Sequence, residues 1–137
     1  MTDAKIKGFL TTPRNAIVAT LMKNGSPQLS AVWYLYKEDT VYISVRTDTA
    51  KYHNLKRDPR ISVCVDAGHG DFRTITFYGT ADFIEPGRPG QDDLRRRIIG
   101  HYQPDEASAR RYYESVKDNP AAIIVLKPDK TIAHGFN

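Results

Sequence analysis

The sequence has little of what marks a secreted, membrane-spanning or metal-dependent protein. A single cysteine, Cys64, stands among its 137 residues, so no internal disulfide is available. Nothing at the N-terminus joins basic residues to an apolar stretch and a cleavage site, and a reducing cytoplasm is the expected location. No apolar run nears the roughly 20 residues that a membrane helix needs, so no membrane role is expected. His53, His69, His101 and His134 fall at spacings that fit no common zinc site. GxSxG, HExxH, P-loop, GxGxxG and CxxC patterns are missing. Cys64 lies in an apolar strand pattern, where a thiol acts as a small hydrophobe rather than a nucleophile. Hydrolytic and metal-based chemistry thus lose their usual carriers, and no metal is expected.

What is present fits an ordinary globular domain. With 40% hydrophobic and 26% charged residues the chain is neither disordered nor fibrous. Its length suits one domain over residues 1–137, since one core commonly serves about 100 to 150 residues. The net charge of +4 and pI near 9.2 favour acidic partners without choosing among nucleic acid, lipid and phosphorylated small molecules. The basic residues do not interleave with aromatics as single-strand binders require, so no nucleic-acid partner is expected. The run Arg95–Arg97 reads as a solvated helix face.

Along the chain, "DAKIKGFL" reads as a short opening helix with Asp3 as its cap. "NAIVATLMKNGSPQLSAVWYLYKEDTVYISV" then gives three β-branched or aromatic runs joined by tight turns, with Asn24-Gly25 the strongest hairpin signal. Pro27 should begin its strand, where a missing amide costs least. "DTAKYHNLKRDP" shifts to a short helix that Asp48 or Thr49 caps and Pro59 stops. "RISVCVD" and "RTITFYGTADFI" are strands, and Gly79 inside the second predicts a bulge or a close backbone approach. Two helices follow in "QDDLRRRIIGHYQ" and "DEASARRYYESVKD". A last strand, "AAIIVLKPDKTIAHGF", is interrupted or bent at Pro128. The sum is an α+β protein, a six-stranded antiparallel barrel or curled sheet with peripheral helices.

One segment, "VYISVRTDTAKYHNLKRDPRISVCVD", gathers Ser44, Arg46, Thr47, Thr49 and Lys51 where a strand turns into a helix. Hydroxyls, fixed cations and the unpaired amides of a helix N-terminus are the components of a phosphate site. The competing reading is a helix merely capped by Asp48, whose carboxylate would occupy the same place.

This segment, together with "ATLMKNGSPQLSAVWYLY" before it and "FYGTADFI" after it, resembles the pyridoxamine 5′-phosphate oxidase-like FMN-binding split-barrel superfamily. Within it the chain looks most like the branch of F420-dependent flavin/deazaflavin oxidoreductases. The resemblance spans about three quarters of the chain in order. It implies a six-stranded split β-barrel and a homodimer with two cofactor sites at the subunit interface. By position, the strand over Ser30, Val32, Trp33 and Tyr34 runs along the cofactor ring. The segment from Ser44 through Val45, Arg46 and Thr47 to Lys51 holds the phosphate, with Lys51 its main cation. Arg60, in the NLxxDPR element with Lys56, either contacts the cofactor or forms a helix-end salt bridge, and Asp58 forms the turn. Tyr78 and the stretch 134–137 approach from the second subunit. Thr49 stands where some relatives carry a basic residue.

The activity implied is hydride transfer from a reduced deazaflavin, coenzyme F420, to an unsaturated or quinone-like small molecule, with no catalytic residue assigned. Two alternatives share the fold: an FMN-binding oxidoreductase, and a non-catalytic module that binds a cofactor or tetrapyrrole. Oxidation of pyridoxamine phosphate itself is not expected, because relatives with that activity are longer and carry arginine-rich substrate elements missing here.

Overall fold

The structure, a computed structural model, describes residues 4–136; Asp3 and Asn137 lie outside them. Its elements in chain order are α1 (Ala4–Thr11), β1 (Ala16–Leu21), β2 (Pro27–Val32), β3 (Leu35–Lys37), β4 (Thr40–Arg46), α2 (Ala50–Arg57), β5 (Arg60–Asp66), β6 (Thr74–Ile84), α3 (Gln91–Tyr102), α4 (Glu106–Val116), β7 (Ala121–Leu126) and β8 (Lys130–His134). The strands are antiparallel in the order β2-β1-β5-β6-β7-β4-β3, with β8 added to β6. This is the curled sheet of a split barrel, an α+β fold. Among the described residues no helix is long and apolar enough to cross a membrane.

Local chemistry explains the turns. Met22 and Ser26 close the first hairpin around Gly25, whose φ of +85° suits glycine, and Asn24 accepts the Ser26 amide. Pro27 begins β2, as its missing donor requires. Glu38 and Asp39 both adopt positive φ between β3 and β4, the geometry of a two-residue hairpin loop. The Tyr36 hydroxyl donates to the Asp39 carboxylate at 2.8 Å and holds that loop.

Eight strands replace the six expected because two long runs break. Between β2 and β3 the Tyr34 amide donates to the Tyr102 hydroxyl instead of joining a ladder. After β7 the chain bends at Pro128, and the Asp129 amide donates to the Tyr78 carbonyl as β8 begins. That bend lies over Gly79, where a Cβ would sit 2.8 Å from Leu126 Cδ1 and 3.5 Å from two backbone atoms. Glycine is required by close approach, one of the two expected reasons. β6 thereby serves both halves of the barrel: Thr74–Thr80 pairs with β5, and Ala81–Ile84 pairs with β7.

Inward residues of every long strand form the core, among them Val18, Ile43, Val63, Ile75, Phe77 and Ile124. Tyr34 belongs to it. Its ring is fully enclosed, its hydroxyl donates to the Leu10 carbonyl at 2.9 Å, and burial pushes the phenol far above its ordinary pKa. Tyr34→Phe should therefore lower stability by about 1 to 3 kcal/mol by stranding a buried acceptor, while leaving ligand binding unchanged. Urea unfolding and a binding titration on the same variant check both halves.

Candidate functional site

The β4-to-α2 junction is built differently from a capped helix. Asp48 does not cap α2: its carboxylate takes both Nε and Nη2 of Arg46, at 3.1 and 2.7 Å, and this pairing holds its pKa below the usual carboxylate range. Thr49 occupies the cap position without a side-chain cap bond, because its hydroxyl donates to the Arg46 carbonyl at 2.7 Å. The first turn of α2 therefore has no side-chain acceptor for its amides, and Lys51 stands on that turn. Lys51 is half-buried, burial lowers its pKa, and no carboxylate among the described residues pairs with it. A cation that is desolvated without a counter-charge is costly unless a ligand supplies one.

Lys51 opens into a cavity of about 340 Å³, within the range of small-molecule sites. Ser44, Arg46 and Lys51 form one wall, with Val32 and Trp33 at the end of β2. A second wall comes from α3 and α4, through Arg95, Ile98, Ile99, Tyr112 and Val116. Trp33 is locked between those walls. Tyr102 stacks on it at 5.0 Å and 7°, and Tyr112 leans on it at 5.1 Å. Tyr102 is itself fixed by its hydroxyl, which donates to the Arg14 carbonyl at 2.7 Å. His101 lies edge-on to Tyr102 with its Nε2 enclosed and without a partner; burial lowers its pKa, which favours the neutral ring.

Of the residues singled out from the sequence, Val32, Trp33, Ser44, Arg46 and Lys51 share this cavity. The rest stand elsewhere. Val45 points into the core with Tyr34, since alternation along β4 turns Ser44 and Val45 to opposite faces. Thr47 is a clip, its amide and hydroxyl both donating to the Pro120 carbonyl. Ser30 is half-buried opposite Val18 on the edge strand and does not line the cavity. Arg60 and Tyr78 line a separate groove with Ser62 and Gly79. The NLxxDPR element resolves into salt bridges, Arg60 with Asp58 at 2.7 Å and Lys56 with Glu85. Its buried Asn54 ties α2 to the first hairpin through Thr20 and Gln28.

The solvated-face reading of Arg95–Arg97 holds for two residues and fails for the third. Arg96 and Arg97 pair with Asp92 and Asp93 on the exposed face. Arg95 is only 6% exposed and turns into the cavity, because it lies three and four residues before the buried Ile98 and Ile99. That spacing was visible in the sequence and could have identified it.

Against known proteins, the sequence profile of the pyridoxamine 5′-phosphate oxidase family matches residues 2–135. The chain belongs to that family. Among solved structures, it is similar to the conserved hypothetical protein Rv2991 of Mycobacterium tuberculosis, with TM-score 0.77, 22% identity and coverage of 98% of this chain and 85% of that one. It is also similar to a protein named F420 reductase, with TM-score 0.73, 20% identity and coverage of 96% and 98%. HutZ, the heme storage protein of Vibrio cholerae, matches with TM-score 0.75 at 14% identity over 98% and 96%. At these identities the likeness is one of fold. The family member described here thus shares a split barrel used by proteins with different ligands.

Lys51 gives the cavity a measurable signature. Its folded-state pKa lies below its unfolded one, so the unfolded chain holds the proton more tightly and stability rises as pH climbs through the folded value. Lys51→Met, which keeps the aliphatic stem, should melt higher than the unmutated protein without ligand. The gap should be full at neutral pH and below, and close as pH rises past the folded-state pKa. Paired thermal melts from pH 6 to about pH 10 check the sign.

Proposed function

We propose that the protein is an F420-dependent reductase that transfers hydride to an unsaturated or quinone-like small molecule. The observation that carries this reading is the half-buried, unpaired Lys51 at the start of α2, beside a cavity walled by a fixed indole. The resemblance of residues 41–66 to the F420-using branch supports the choice of cofactor, as does the fold shared with a protein named F420 reductase.

These residues fit a phosphorylated ring cofactor. Lys51 would hold the phosphate with Arg46 and the Ser44 hydroxyl, while Val32 and Trp33 would flank the ring. When bound, a reduced deazaflavin supplies the hydride. The chain binds, orients and dries the site. Tyr102 and Tyr112 keep Trp33 in place, and Ile98 and Ile99 exclude water from the second wall. Arg46 has to exchange its bond to Asp48 for one to the ligand, which the solvent exposure of that pair makes easy.

The reading includes a homodimer. Ile17, Leu29, Tyr78 and Ile132 occupy one outward face of the β2-β1-β5-β6-β8 region by strand register. Their exposures of 39, 64, 41 and 45% are those of a surface that a second copy would cover. The same face carries the groove with Arg60 and Tyr78, and Ala31 on it borders the cavity. A second copy would bring groove and cavity together.

Titration with F420, followed by fluorescence quenching, should show binding at micromolar concentrations and exceed the affinity for FMN. Tighter FMN binding would make this an FMN protein, and no turnover across quinones and enones despite tight binding would make it a carrier. Lys51→Met should weaken cofactor binding roughly ten- to a hundredfold through loss of a charge-assisted contact. Leu29→Lys should yield a monomer by size-exclusion chromatography, with reduced cofactor affinity; a dimer that persists would place the interface elsewhere.

A further inference from the structure

Among the described residues Arg95 is the one charged residue that is buried, at 6% exposure. It has no salt bridge. Its Nη2 donates to the Val116 carbonyl at 2.8 Å, and no other hydrogen bond to its side chain exists among the described residues. A guanidinium carries five N–H donors, so most of its capacity is open toward the cavity that it lines. The nearest carboxylates along α3 are already engaged: Asp92 accepts from Arg96 and from the Tyr113 hydroxyl, and Asp93 pairs with Arg97.

The charge count at the cavity is then uneven. Arg46 is matched by Asp48, while neither Lys51 nor Arg95 has an ion-pair partner among the described residues; Asp92 feels the charge of Arg95 but is hydrogen-bonded to Arg96 and Tyr113. Two positive charges face one cavity from its two walls, Lys51 from α2 and Arg95 from α3. The backbone draws these walls together. Arg46 pairs with Ala121 across β4 and β7, Thr47 is bonded to Pro120, and Gln91, one turn before Arg95, donates its side-chain amide to the Ala121 carbonyl. Arg95 is therefore anchored at the end of the cavity where the β4–α2 junction lies.

We infer that Arg95 is a second anion-binding residue of this cavity, which with Lys51 selects ligands whose phosphate-bearing end carries about two negative charges. The inference rests on the proposed cofactor reading for the identity of the ring, but not for the charge of the group held. A phosphate monoester meets the requirement at neutral pH with about −1.5 to −2, and so does a phosphodiester with an adjoining carboxylate. An arginine suits the task because its planar fork is always charged and grips phosphate oxygens in pairs.

The test compares ligands with and without the charged end. Arg95→Gln is expected to lower affinity for FMN, for F420 and for inorganic pyrophosphate roughly tenfold or more, and to leave riboflavin and the tail-less deazaflavin ring unchanged. Whichever intact cofactor binds the unmutated protein more tightly distinguishes monoester from tailed diester. Equal affinity of variant and unmutated protein for the charged ligands overturns the inference. So does an equal loss for charged and uncharged rings, which would make Arg95 structural. If the unmutated protein binds neither cofactor yet binds pyrophosphate through Arg95, the inference stands and the reductase reading falls. Should the glutamine variant fail to fold, the Arg95 Nε–H resonance of the intact protein decides: it should shift on adding pyrophosphate, and a stationary signal overturns the inference.

Discussion

The ladder between β4 and β7 is the constraint on which the rest depends. It runs in register from Val41 opposite Leu126 to Arg46 opposite Ala121, and side chains continue it where the strands end. Thr47 reaches Pro120, and Gln91 reaches Ala121. One end of this ladder carries Ser44, Arg46 and the turn into α2, and the same end receives the chain at Ala121 as it returns from α3 and α4. Both cavity walls are thus referenced to a single set of backbone hydrogen bonds. A one-residue slip in it would turn Ser44 inward and Val45 outward and dismantle the site.

Stability and function pull against each other at this cavity. Arg46, Lys56, Arg60, Arg73, Arg96, Arg97 and Lys117 each pair with a carboxylate. Lys51 and Arg95 have no such partner among the described residues and, unlike the unpaired cations exposed on the surface, are drawn at least partly out of water where they line the cavity. Two such cations at one cavity are the arrangement expected where an anion from outside would complete the site. The locked Trp33 is the apolar counterpart, since it would give the proposed ring-shaped ligand a surface whose orientation is settled before binding.

Much of the fold was legible because its elements have local causes. Alternation located the strands, Asn24-Gly25 the first hairpin, and the shift in period both α3 and α4. What sequence could not show was where a long run breaks, because the break at Tyr34 is made by the hydroxyl of Tyr102, far along the chain. At the site, the β4–α2 half was legible as a cluster of cations and hydroxyls, yet its internal wiring was not. Asp48 holds Arg46 rather than the helix, a choice between two nearby partners that only geometry decides. The second wall was the larger omission. Arg95 sits in a run of three arginines, and its difference from Arg96 and Arg97 lies only in its phase relative to Ile98 and Ile99.

The helical excursion between β6 and β7 leaves and rejoins the sheet at neighbouring points, since Ile84 and Ile123 are paired partners. A segment whose ends already meet can lengthen, shorten or change its sequence at little entropic expense, provided that Gln91 and Tyr102 keep their bonds to the barrel. The two walls of the cavity are therefore under unequal architectural control. The strand wall is written into the core, while the helical wall is a replaceable panel. A change in what this cavity admits would be met most easily at the positions of that panel that face it, among them Ile98, Ile99 and Tyr112.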